Sequence, residues 1–119
     1  MVKTTKKDFK LFKKECRKWI NFFGLKQWEV KYFHQKCGNR AEFYTDISGG
    51  LCSILLNTRF KNVYKITKKD IRITAFHEVT EGLLFTNVRS LLFESGYSRS
   101  KIDEVIHPII RTLENVVFK

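Results

Sequence analysis

Thr74-Ala75-Phe76-His77-Glu78-Val79-Thr80-Glu81-Gly82-Leu83-Leu84 is the stretch that decides the reading of this chain: a His-Glu-x-x-Glu sequence within a run of helical apolar spacing. Residues four apart on a helix share a face, so the His77 imidazole and the Glu81 carboxylate can grip one cation while Glu78 stands beside them. A histidine and a carboxylate around one divalent ion, with a further glutamate as general base on a metal-activated water, is hydrolytic chemistry. The commoner form of the pattern ends in a second histidine, and Glu81 stands in its place, so the rest of the chain must decide.

Upstream, Thr67-Lys68-Lys69-Asp70 has the form of a capping box and predicts the start of a helix with Ile71, Ala75, Phe76, Val79 and Leu83 on its core side. The apolar pattern continues through Val88, Leu91, Leu92 and Phe93, with a bend, and Gly96 stops it. Ser100-Lys101-Ile102-Asp103 is a second capping-box sequence. It opens a last helix carrying Ile102, Val105, Ile106, Ile110, Leu113 and Val117, which Pro108 should kink or restart by removing a backbone donor.

Before the motif, Phe9, Phe12, Cys16, Trp19, Ile20 and Phe23 recur at threes and fours, predicting a helix over 6–23 with Thr5 as cap and Gly24 at its end. Trp28, Val30 and Tyr32 alternate with polar residues as a half-buried strand. Lys36-Cys37-Gly38-Asn39 is a turn, Ala41, Phe43 and Thr45 continue as a second strand, and Leu51–Asn57 is an apolar run suited to a covered third strand. The expected fold class is therefore α+β, with an N-terminal helix, a three-stranded antiparallel-type sheet, the motif helix and a C-terminal helix.

The 119 residues, 43% of them hydrophobic, suffice for one core and one domain spanning 1–119. No apolar run is long enough for a membrane span and no signal peptide is legible, so a cytoplasmic protein with no membrane association is expected. Cys16, Cys37 and Cys52 are widely spaced and suggest free thiols, and His34-x-x-Cys37 lacks a second pair to complete a metal site. The excess of 23 Lys+Arg over 12 Asp+Glu gives +11, a field that favours acidic partners. Much of it lies in Lys3, Lys6, Lys7, Lys10, Lys13, Lys14, Arg17 and Lys18, either the solvated face of the first helix or a nucleic-acid footprint, with Trp19, Tyr32 and Phe33 as stacking groups.

The order helix, three strands, motif helix, closing helix resembles the zincin-like metallopeptidases of SprT-like layout, a family frequent among short phage-encoded proteins. Trp28-Glu29-Val30, Gly50–Asn57, Ala75–Leu84 and Ile109–Asn115 carry the resemblance, which covers most of the chain. It implies that the 50–57 strand runs antiparallel beside the site, and that a protein or peptide substrate is cleaved at an amide. In regular members the motif helix supplies two histidines and the last helix a glutamate. Here Glu81 takes the second histidine's position and His107 falls near that glutamate's, so the implied ligands of zinc, or another divalent metal, are His77, Glu81 and His107, with Glu78 as base. Glu104, one turn earlier, competes with His107. Asn57 either holds substrate backbone or closes a turn, and Tyr97 either stabilises an oxyanion or packs at a helix boundary. The alternatives to a peptidase are a zincin-fold binding protein without chemistry, gripping an extended peptide by strand addition, and a basic nucleic-acid-binding protein whose contacts are Lys6, Lys10, Lys13, Lys14, Arg17 and Lys18.

Overall fold

The computed structural model describes residues 1–119. Helix α1 (Lys6–Phe22) starts at Thr5, whose hydroxyl accepts from the Asp8 N–H while the Asp8 carboxylate accepts from the Thr5 N–H, the reciprocal capping box. Its apolar stripe buries Phe12, Cys16, Trp19 and Ile20 against a three-stranded sheet and helix α2 (Lys68–Val79), which begins at Thr67 with the same box closed by Asp70. A mixed α+β architecture results, with four helices and two small sheets.

The main sheet is mixed rather than antiparallel. Strands β2 (Glu29–His34), β3 (Ala41–Asp46) and β4 (Leu51–Leu56) lie in the order β2-β4-β3, with β4 parallel to β2 and antiparallel to β3. Strand β4 is the most continuously apolar of the three, burying Cys52, Ile54, Leu55 and Leu56, so it takes the centre, where both faces are covered. The 35–40 link consequently passes the end of β4, where the Asn57 side-chain amide donates to the carbonyls of Cys37 at 2.8 Å and Asn39 at 2.7 Å. Asn57 is thus a turn residue. Two-residue strands, β1 (Val2–Lys3) and β5 (Arg59–Phe60), pair antiparallel as a second sheet that the sequence reading did not anticipate.

The expected bend in the motif helix is a π-helical turn over Thr80–Leu84, closed by the Phe85 N–H donating to the Thr80 carbonyl at 3.0 Å, after which α3 (Thr86–Glu94) resumes. Two local causes coincide there. The Thr80 hydroxyl donates to the Phe76 carbonyl at 2.6 Å, competing for a helical acceptor. Gly82 also lies so close to β3 that a Cβ would sit 2.7 Å from Cγ of Phe43. Helix α4 (Arg99–Val117) starts at Ser98, whose hydroxyl accepts from the Lys101 N–H, and not at Ser100. It runs through Pro108 without restarting, and packs Ile102, Ile106 and Ile110 against Phe85 and Leu92.

The close approach at Gly82 sets β3 against the π turn and gives a test. Gly82→Ala gains up to ~1 kcal/mol of helix propensity but forces a shift of the Phe43 ring, so a net loss of about 1 kcal/mol or more is expected by urea unfolding. In a Phe43→Ala background the same substitution should be neutral or stabilising. Equal effects in both backgrounds would remove this contact as the constraint.

Candidate metal centre

His77 at the end of α2 and Glu81 in the π turn face α4, as the four-residue spacing predicts. Their nearest atoms, His77 Nε2 and Glu81 Oε2, are 3.7 Å apart. Helix α4 brings His107 onto the same point, its Nε2 hydrogen-bonded to Glu81 Oε2. One donor atom from each of the three residues lies within 4.8 Å of the others, and the two imidazoles stand 5.5 Å apart at 46°. Two ligands held about 2.0–2.2 Å from one tetrahedral ion are roughly 3.3–3.6 Å apart, so the 3.7 Å gap suits a shared cation. Glu104 is excluded from the group, since its side chain is 69% exposed and pairs with Lys101 at 3.5 Å.

Glu114 completes the arrangement, two helical turns beyond His107. Its Oε1 lies 2.9 Å from His77 Nδ1, so Nδ1–H donates to the carboxylate and Nε2 is aimed at Glu81 and His107. Such a carboxylate behind a histidine fixes the ring and raises its basicity, as it does behind metal-bound histidines. Burial works against a charge on His77, but the hydrogen bonds to Glu81 and Glu114 and the nearby Glu78 outweigh it and raise the pKa to about 9. Burial likewise favours protonated Glu81, yet His77, His107 and Arg89 together hold it below its ordinary value. The pocket is therefore built for positive charge, and His2Glu is an established zinc donor set.

Glu78 points to the same groove but makes no bond to these residues. It is 7% exposed, and its Oε2 is buried without a hydrogen-bond partner in the chain. Burial, with repulsion from Glu81 and Glu42 and partial relief from His77, pushes its pKa up to about 8, the range in which a carboxylate both takes and gives protons near neutrality. Arg89 of α3 donates to Asp103 of α4 at 2.9 Å and lies 4.0 Å from Glu81, tying both helices to the centre.

The groove has a volume of about 920 Å³ and runs between β3 and the α2, α3 and α4 helices. The strand beside the site is β3, an edge strand, and not the 50–57 strand, which occupies the sheet interior. Tyr97 does not line the groove, and His34 is engaged elsewhere, stacked on Phe9 and donating to Thr4. Trp19 is buried in the core and Tyr32 is covered by Arg17, so neither is free to stack on a base; Phe33 is exposed. Glu114, Arg89 and Asp103 escaped the sequence reading. The one signal was periodic: Asp103, His107 and Glu114 fall on one face of α4. No helix is long and apolar enough to cross a membrane. No family model matches the chain, and neither curated proteins nor solved structures give a significant match.

The carboxylate shifts have a signed consequence in chelator-treated protein. Folded Glu78 keeps its proton to about pH 8 whereas an unfolded glutamate loses it near 4.5, so stability falls as pH rises between those values. His77, raised from 6.5 to about 9, adds a decline in the same direction across that higher window. Glu78→Gln should flatten the decline between about pH 5 and pH 8 by roughly 2–4 kcal/mol in denaturant titrations. An unchanged slope would mean Glu78 is not buried as described.

Proposed function

We propose that the protein is a zinc-dependent, peptidase-like metallohydrolase of the zincin type. The observation that carries this reading is the convergence of His77, Glu81 and His107 beside the buried, high-pKa Glu78, in a groove bordered by an edge strand. The two imidazoles and the Glu81 carboxylate would hold the zinc, which would supply Lewis acidity, its chemistry in sites of this composition. Glu114 holds the His77 ring, and Arg89 offsets part of the local negative charge. Glu78 accepts a proton from the attacking water on its carboxylate and hands it to the amine that leaves. The unpaired edge of β3 provides backbone donors and acceptors for an extended polypeptide, which favours a protein or peptide substrate.

The same groove without chemistry would be a peptide-binding module, and substitution separates the two. Glu78→Gln should bind zinc within a few-fold of the parent while hydrolysis of an unfolded protein such as casein falls ~10²-fold or more. His77→Ala and His107→Ala should lose both, and Glu104→Ala neither. Equal zinc affinity across the series would refute the ligand assignment. Zinc binding by the parent without any hydrolysis would leave the binding module.

A further inference from the structure

We infer that the outer face of α1 is a docking surface for the phosphate backbone of nucleic acid. Helix α1 carries Lys6, Lys7, Lys10, Lys13, Lys14, Arg17 and Lys18, and at 100° per residue all seven fall within an arc of about 140°. From Lys6 to Lys18 the stripe is roughly 18 Å long, the axial reach of about five phosphates on one strand of a duplex. Except for Lys13, which is partly buried, these side chains are exposed.

Of the seven, only Lys18 has an acidic partner, Glu15. Of the two acidic residues of α1, Asp8 is engaged by the Thr5 N–H in the cap. Glu15 is 5% exposed beneath the stripe, 3.7 Å from both Lys18 and the Arg72 guanidinium, which adds another exposed cation from α2. Next to the helix start, Lys3 of β1 pairs directly with Arg59 of β5. Like charges opposite one another weaken a two-stranded pair, and both of these exposed residues extend the basic surface past the helix start. Several of the cations are also held in place. Lys13 lies over the Phe9 ring at 4.7 Å, Arg17 over Tyr32 at 5.2 Å and Lys18 over Trp19 at 4.8 Å, which lowers the ordering entropy that binding would otherwise cost.

The partner class follows from what the face lacks. A membrane-surface helix must offer an apolar side to the lipid, but the apolar side of α1 is the protein core. A protein partner needs a desolvated centre with aromatic or aliphatic anchors, and the basic arc holds none at its centre, the exposed Phe22 lying beyond its edge at the helix end. A uniformly basic row fits a uniformly charged polymer. Trp19 is buried and Tyr32 is capped by Arg17, and the exposed rings Phe22 and Phe33 lie outside the basic arc, so the seven cations carry the binding, which is to the backbone and indifferent to sequence. The surface stands apart from the metal centre and does not depend on it.

The test is fluorescence anisotropy of the full chain with a mixed-sequence DNA duplex. Parent affinity should fall roughly 10²–10³-fold between about 50 mM and 200 mM salt, as expected for release of about five counterions. K6E/K7E/K10E/K14E should bind at least ~30-fold more weakly at the lower salt. K61E/K65E/K101E/K119E, which changes the net charge of +11 by the same amount, should stay within about three-fold. Glutamine at the four α1 positions should give a smaller loss in the same direction, which keeps the test open if charge reversal disturbs folding. Equal losses in the two quadruple reversals, salt-insensitive or undetectable parent binding, or equal affinity for phosphatidylserine vesicles would each overturn the proposal.

Discussion

Three carboxylates gathered in one half-buried place, those of Glu78, Glu81 and Glu114, are the constraint around which the site half of the molecule is arranged. Burial leaves Glu78 protonated near neutrality with Oε2 unpartnered, whereas Glu81 and Glu114 take basic partners from three separate elements: His77 from α2, Arg89 from α3 and His107 from α4. Apolar packing of α4 divides between Ile102, Ile106 and Ile110 against Phe85 and Leu92, and Leu113, with Phe118 beyond the helix end, against the main core. Such packing is non-directional, and the polar contacts at His107 and Glu114 add directional constraints on the register of this helix against α2. The other side of α2 is held by an aromatic group in which Phe76 meets the edges of Trp19 and Phe118, and this anchors the helix that carries His77.

Charge is segregated across the molecule. Glu42, Glu78, Glu81, Asp103 and Glu114, five of the 12 acidic residues, line the groove together with Arg40, Arg89 and Arg99, whereas seven of the nine charged side chains of α1 are basic. The net charge of +11 therefore describes neither region. The carboxylates nearest the metal centre and the basic face of α1 thus lie on separate surfaces, so the two proposed partners, a cation and a polyanion, would not compete for one.

Features written in a local pattern were legible in the sequence. Thr5 and Thr67 with their acidic residues three positions on read as helix starts, the threes and fours of α1 and α2 read as core stripes, and the alternation around Val30 and Phe43 read as strands. Non-local features were not. The insertion of β4 between β2 and β3 depends on which strand buries both faces, a comparison between segments, and β1 and β5 are too short for any period. The helix-start signal at Ser100 was outweighed by Ser98, which lies directly after the Gly96 turn. In the site, His77 and Glu81 follow from helical spacing alone. His107 rested on a resemblance, and Glu114 required knowing that α4 lies across the end of α2 with its His107 face inward.

The most direct test of the account is X-ray absorption at the zinc edge on protein purified without chelator or histidine tag, together with its zinc content. The account predicts one zinc per chain, scattering from two imidazoles with nearest nitrogens at about 2.0–2.1 Å, and a carboxylate oxygen at about 2.0–2.2 Å. Zinc bound through sulfur at about 2.3 Å, or a stoichiometry far below one with no imidazole scattering, would contradict a centre built from His77, Glu81 and His107.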